Sequence, residues 1–228
     1  MAVVNHETRE VQFKVVYCGT PLGGKTTNLT YIYGQLDPSR RGDMVSIATN
    51  SERTLFFDFL PVNAAEINGY QTRFQLYTVP GQRVYKSTRE VVLQGVDGVV
   101  FVADSHPDRI SANRESFGAM MEDLSSLGRD PETVPLTVQF NKRDLVDAMP
   151  PDEMDDDLGI AEPSFLACAR TGYQVFATLD HVTQSILREF HGEKKPDNII
   201  PMQRGKRAEE ESGSKQGKKK ETEVYLSS

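Results

Sequence analysis

The chain has 228 residues, enough for one sizeable core and a tail. Its net charge of -7 argues against nonspecific nucleic-acid binding as its main activity. No apolar run reaches the length of a membrane span. The first residues lack a signal peptide's apolar core, and the last residues, Tyr225-Leu226-Ser227-Ser228, form no prenylation box, so a cytoplasmic protein without an integral membrane segment is expected.

Residues 1–10 are polar and are expected to lie along the domain surface. Residues 11–18 are apolar and β-branched, which predicts a strand. It runs into Gly19-Thr20-Pro21-Leu22-Gly23-Gly24-Lys25-Thr26, the pattern G-x-x-x-x-G-K-[ST] of a phosphate-binding loop. Glycines let the backbone wrap an anion with N–H groups turned toward its oxygens. Lys25 supplies a point charge to β- and γ-phosphates, and the Thr26 hydroxyl can ligate Mg²⁺. A helix after Lys25 turns its positive dipole end to the same phosphates and is expected to stop near Gly34 as its C-cap. Residues 35–50 read as loop, with Asp37-Pro38-Ser39 as a turn signal. Residues 55–60 form an aromatic-rich strand, Asn68-Gly69 a hairpin turn, and residues 71–78 the antiparallel partner. Val79-Pro80-Gly81-Gln82 breaks the pattern.

Residues 98–104 are a continuous apolar run, typical of a buried parallel strand. Residues 110–127 suit a helix ending at Gly128, and residues 134–140 another buried strand. The acidic stretch 150–157 fits a solvated loop or a helix start, and lacks the glycine and spacing of a calcium loop. Residues 165–169 are a short strand and 174–190 a long amphipathic helix. From Glu193 on, Lys, Glu, Gly and Ser dominate, so 1–192 is expected to be one domain and 193–228 a disordered charged tail. Lys218-Lys219-Lys220 offers peripheral contact to acidic lipid or a partner; the plainer reading is a solvated tail. Cys18 and Cys168 fall at strand ends as free buried thiols, and the four histidines are too scattered for a zinc site. Alternating strands and helices predict an α/β fold with a mostly parallel sheet, one antiparallel strand and helices on both faces. Ligands then sit at the carboxyl ends of the strands.

The second motif, Asn141-Lys142-Arg143-Asp144, ends a buried strand. A carboxylate accepts hydrogen bonds only. Guanine offers two adjacent donors, its ring N1–H and its exocyclic amino group, which Asp144 can take together. Adenine lacks that pair and leaves the carboxylate unmatched. Asn141 can brace the loop and the Lys142 stem can cover the base face. Cys168-Ala169-Arg170-Thr171-Gly172 follows the last strand, where backbone N–H groups of Ala169 and Arg170 can cover the guanine oxygen.

The order of phosphate loop, Thr54, Pro80-Gly81-Gln82 and Asn141-Lys142-Arg143-Asp144 resembles a Ras-like small GTPase, a P-loop NTPase. The runs Lys25-Thr26-Thr27-Asn28-Leu29, Arg53-Thr54-Leu55-Phe56-Phe57-Asp58-Phe59-Leu60-Pro61, Leu76-Tyr77-Thr78-Val79-Pro80-Gly81-Gln82 and Val96-Asp97-Gly98-Val99-Val100-Phe101-Val102-Ala103-Asp104-Ser105 resemble the bacterial gliding-motility GTPases, the MglA family. The likeness covers roughly residues 5–190. It implies binding of GTP and GDP with Mg²⁺ at Gly19, Gly23, Gly24, Lys25, Thr26, Thr27, Thr54, Gly81, Asn141, Lys142, Asp144, Ala169 and Arg170. Thr26 and Thr54 would be the metal ligands; Gln82 would orient the attacking water, Arg53 would be an arginine finger in cis and Lys25 would assist on the phosphates. The resemblance also implies a Roadblock-type (MglB-like) homodimer that accelerates hydrolysis, effectors of cell polarity or motility, and concentration at a cell pole.

Two positions depart from Ras-like patterns. Thr78 stands where an aspartate usually holds a metal-bound water, a substitution the gliding family shares, so the metal is expected to lean on Thr26, Thr54 and the phosphates. Pro21 stands where that family has glycine; it lacks an N–H and places a ring near the γ-phosphate and Gln82, which bears on hydrolysis more than on binding. Three readings remain: a hydrolysing GTPase switch, a GTP-loaded scaffold slowed by Pro21, and a nucleotide or metabolite kinase, which would share the phosphate loop but not the base motif.

Overall fold

The computed structural model describes residues 2–48, 56–160 and 164–192. Its strands are β1 (Val3–Asn5), β2 (Glu10–Gly19), β3 (Val45–Ala48), β4 (Phe56–Asn63), β5 (Gln71–Thr78), β6 (Gly98–Asp104), β7 (Leu136–Asn141) and β8 (Ser164–Leu166). Its helices are α1 (Lys25–Gln35), α2 (Lys86–Leu93), α3 (Ile110–Ser126), α4 (Pro151–Leu158) and α5 (Val175–Phe190). They build one sheet in the order β3-β4-β5-β2-β6-β7-β8, with β1 also on β2. Along that path only β4 runs against its neighbours; β1 pairs antiparallel with β2.

Both faces of the sheet are covered, and alternation along the strands assigns the side chains. Phe13, Val15 and Tyr17 of β2 join Val100 and Val102 of β6 in a core with α1 and α5. Val16, Cys18, Val99 and Phe101 point the other way, into a core with Met120 and Leu124 of α3. All seven residues of β6 are buried, hence its unbroken apolar run. Each fully buried Val, Leu or Phe contributes about 1.5–3 kcal/mol, so the central strands are the rigid part of the scaffold.

Several elements differ from the sequence reading. The first ten residues contain β1, and the expected loop 35–50 contains β3, whose Val45 lies opposite Phe59. Both are short edge strands formed by pairing rather than by their own pattern. Gly34 does not cap α1. The helix runs on to Gln35 and ends where Leu36 turns extended, its N–H on Ile32 O at 3.0 Å and its side chain buried. The acidic stretch is a helix start: Asp152 and Glu153 occupy the first turn of α4, where the dipole favours them. The hairpin is as read, with Asn68 and Gly69 both at positive φ (52° and 81°) and Ile67 bridged to Tyr70. Helix α2, which no pattern had announced, follows Gln82 after a short turn. Both cysteines are free and buried. Arg53, Thr54 and the tail from 193 lie outside the described residues.

Candidate functional site

The phosphate loop leaves β2 at the carboxyl end of the parallel strands and closes on α1, whose first residue is Lys25. Gly24 sits at φ 103°, and a Cβ there would overlap the Asn141 side-chain amide, so the loop and the base motif touch at a point only glycine permits. Lys25 is buried, and its Nζ donates to Gly19 O (2.9 Å) and Thr20 O (2.7 Å). Burial lowers its pKa to about 8, against opposing pulls from Cys18 and Asp58. A phosphate arriving here replaces two carbonyl acceptors with a full negative charge. Burial pushes the Cys18 thiol up to about 12, which leaves it unreactive. Thr27 is exposed in the first turn of α1.

Beside Lys25 lies a carboxylate that sequence reasoning missed. Asp58 of β4 accepts from Thr26 Oγ1 (2.6 Å) and Thr78 Oγ1 (2.9 Å) on one oxygen, and from Ser46 Oγ (2.7 Å) on the other. The Asp58 N–H in turn donates to Thr78 Oγ1 at 2.9 Å. At position 78, where a Ras-like site usually carries an acid, the threonine instead donates to a carboxylate on the neighbouring strand. Its only sequence signal is a lone acid between Phe57 and Phe59. Among the described residues no three His, Cys, Asp or Glu side chains gather as a metal cluster, so a cation here would rest on hydroxyls, this one carboxylate and phosphate oxygens.

Asn141 ends β7 and ties the site together: its amide donates to Gly23 O (2.7 Å) and its oxygen accepts from Ala169 N–H (2.8 Å). That N–H, expected on the base oxygen, is thus engaged with Asn141. Lys142 adopts φ 67° and its Nζ reaches buried Asp104 at 2.5 Å. Asp144 accepts from Cys168 Sγ (3.2 Å) and Arg170 Nη2 (2.6 Å). The Cys168 thiol first, then Arg170, hold its carboxyl below the ordinary aspartate range, so it stays an acceptor-only group at neutral pH.

The loop after β5 completes the site. A Cβ on Gly81 would overlap Gly19 O and Pro21 N, so this loop rests directly on the phosphate loop. Gln82 is exposed at the rim of a cavity of about 590 Å³ that Pro21, Lys25, Thr26, Asp58 and Thr78 also line. Two arginines, unmarked in the sequence, steady the rim. Arg89 of α2 donates to Gln82 O (2.8 Å) and pairs with Asp123 of α3 (2.7 Å), both side chains almost fully buried. Arg109 donates to Pro21 O at 2.8 Å. The fold thus gathers Gly19, Gly23, Gly24, Lys25, Thr26, Gly81, Gln82, Asn141, Asp144 and Ala169 around one end of the sheet.

Comparison with known proteins agrees with this geometry. The sequence profile of the ADP-ribosylation factor family matches residues 2–190. The mutual gliding-motility protein MglA of Myxococcus xanthus (strain DK1622) is 46% identical over 190 residues, which cover 83% of this chain and 97% of that protein. The small COPII coat GTPase SAR1 of Giardia intestinalis is 24% identical over 140 residues, 61% of this chain and 71% of that protein. A phosphate loop, an acceptor-only base motif and a family match spanning nearly the whole described chain lead to one conclusion: the chain belongs to the ADP-ribosylation factor family and is an MglA-type small GTPase.

Proposed function

We propose that this GTPase is a nucleotide-dependent switch in bacterial cell polarity or gliding motility, using Mg²⁺ and slow until an activating partner docks. The observation that carries the reading is the shared bonding of Thr26 and Thr78 to Asp58 beside Lys25. It sets one negative oxygen next to the hydroxyl at the end of a phosphate loop, the donor set a hard cation takes together with phosphate oxygens. Thr26, Thr54 and Asp58 would hold Mg²⁺, which when bound neutralises charge on the β- and γ-phosphate oxygens. The chain's own groups do the rest. Lys25 binds the same phosphates, Gly81 offers its N–H, Gln82 orients the water, and Arg53 neutralises charge that develops only during transfer. Asp144 selects guanine, with Asn141 bracing its loop and Lys142 and Arg170 flanking the base.

The activator is a Roadblock-type (MglB-like) homodimer. Leu22 in the phosphate loop and Val84 just after Gln82 are apolar and exposed, a surface suited to a protein partner. Among the described residues no helix is long and apolar enough to cross a membrane, which fits a cytoplasmic switch concentrated at a pole by its partners. The relatives favour a hydrolysing switch over a nucleotide-loaded scaffold.

The test is single-turnover GTP hydrolysis with and without the Roadblock partner. Arg53→Ala and Gln82→Leu are each expected to lose most of the stimulation, about 10³-fold or more for the arginine, while GTP affinity stays within a few-fold. The double variant should be little worse than either single one, because both act on one transition state. Full stimulation in Arg53→Ala would reject the finger. A wild type that the partner leaves unstimulated, while Pro21→Gly hydrolyses readily, would return the scaffold reading.

A further inference from the structure

At the opposite end of the sheet from the nucleotide loops lies a second concavity, of about 350 Å³. Val11 and Phe13 of β2, Ile67 and Tyr70 of the β4–β5 hairpin, and Leu187 and Phe190 of α5 line it. It is largely apolar, yet Phe190 remains 47% exposed although its ring meets Phe13 edge-on at 5.2 Å. His191, also of the lining, has its Nε2 buried without a hydrogen bond among the described residues.

The described residues end at this point. Helix α5 ends at Phe190, and Gly192 (φ 57°) turns the chain off it, beside two lining residues. Beyond Gly192 come six mostly polar residues, Glu193 to Asn198, and then Ile199-Ile200-Pro201-Met202, the first apolar run of an otherwise charged tail. Six residues reach at most about 20 Å when extended. Pro196 and Pro201 disfavour helix and bias the residues before them to extended backbone, the shape an elongated groove accepts. A tether this short holds the run at roughly millimolar effective concentration, so contacts too weak to hold a free peptide suffice in cis. The other apolar run, Val224-Tyr225-Leu226, lies more than twenty residues further out and loses that advantage.

We infer that residues 199–202 of this chain occupy the groove between β2, the β4–β5 hairpin and the end of α5, docking the root of the tail on the domain. The charged remainder, from residue 203 on, is outside the contact.

Methyl and aromatic NMR on the full chain tests this. Nuclear Overhauser contacts are expected from the Ile199 and Ile200 methyls to the Phe190 and Tyr70 rings, and the Ile67 and Leu187 methyl shifts should be independent of protein concentration. A chain stopped after Met202 should keep these signals. A chain stopped after Gly192, and the full-length double variant Ile199→Asp/Ile200→Asp, should lose them and expose the Ile67–Tyr70 turn to amide exchange about tenfold faster, the ratio expected if the tethered run is roughly 90% bound. GTP affinity should be the same in all four proteins, which separates this test from the nucleotide site. Identical groove signals in the full chain and the Gly192 stop would overturn the proposal. Signals kept in the full chain but lost in the Met202 stop would assign the groove to the far end of the tail, and concentration-dependent signals would assign it to a second copy; either result also overturns it.

Discussion

Asp58 shows how one side chain alters the chemistry expected of a motif. A neutral threonine at position 78 leaves a Ras-like metal site without its usual acid, yet Asp58 joins both Thr26 and Thr78 through one oxygen. Asp58→Asn keeps the size and some of the hydrogen bonding but removes the charge. A hydrogen bond to a charged group is worth about 1.5–3 kcal/mol. The variant is therefore expected to release GDP on the order of 10–100-fold faster with Mg²⁺ present, and at the wild-type rate in a chelator. Equal release in Mg²⁺ for both proteins would reduce Asp58 to an anchor for two threonines. Asp144, the proposed guanine acceptor, has its charge already matched by Arg170. Asp144→Asn should narrow the preference for GTP over ATP, since an amide N–H would then face a donor. A competition titration reads this directly, and an unchanged preference would place base recognition elsewhere.

Among the elements, α2 links the core to the loop that carries Gln82. Its Arg89 spans from Asp123 on α3 to the carbonyl of Gln82. Removing the arginine alone strands a buried carboxylate and is expected to cost about 3–5 kcal/mol of stability, which would confuse any kinetic result. Replacing both partners, Arg89→Met with Asp123→Leu, removes the charge pair together and should spare the fold. Partner-stimulated hydrolysis is then expected to fall roughly tenfold or more with GTP affinity unchanged, because only the placement of Gln82 is loosened. Stimulated rates equal to wild type would make the pair a structural tie and nothing more. The same element shows why its helix escaped the sequence reading: it has eight residues, and its position is set by contacts with α3 and the loop before it.

At the scale of the molecule, two cores on either side of one sheet, assembled from described residues that end at Gly192, hold the nucleotide end. A chain ending at Gly192 is therefore expected to fold and to bind GTP, with a melting temperature lower by no more than a few degrees, the size a weak docked segment accounts for. A collapse of the melting temperature would show that the tail belongs to a core. The parallel arrangement also explains why residues as distant as Lys25, Gln82 and Asp144 share a site: the carboxyl ends of β2, β5 and β7 lie on one edge.

The phosphate loop, the base motif and the strands that present them are legible in the residues alone. These are local patterns: glycines at fixed spacing, a Lys-Thr pair at a helix start, unbroken apolar runs. Strand β5 and strand β6 have the bounds their residues predict. The partners of those motifs are set by packing across the sheet. Asp58 reaches the site because β4 and β5 pair in one register, and a shift of one residue would turn it to the other face. Arg89 and Arg109 belong to no sequence motif, and packing alone brings them to Gln82 and Pro21. Gly34 looked like a helix end, yet nothing crowds or turns the chain there, and the buried Leu36 fixed the stop instead. Short-range rules are written in neighbouring residues; which charge meets which hydroxyl across two strands is written in the register, and that is fixed only when the sheet closes its cores.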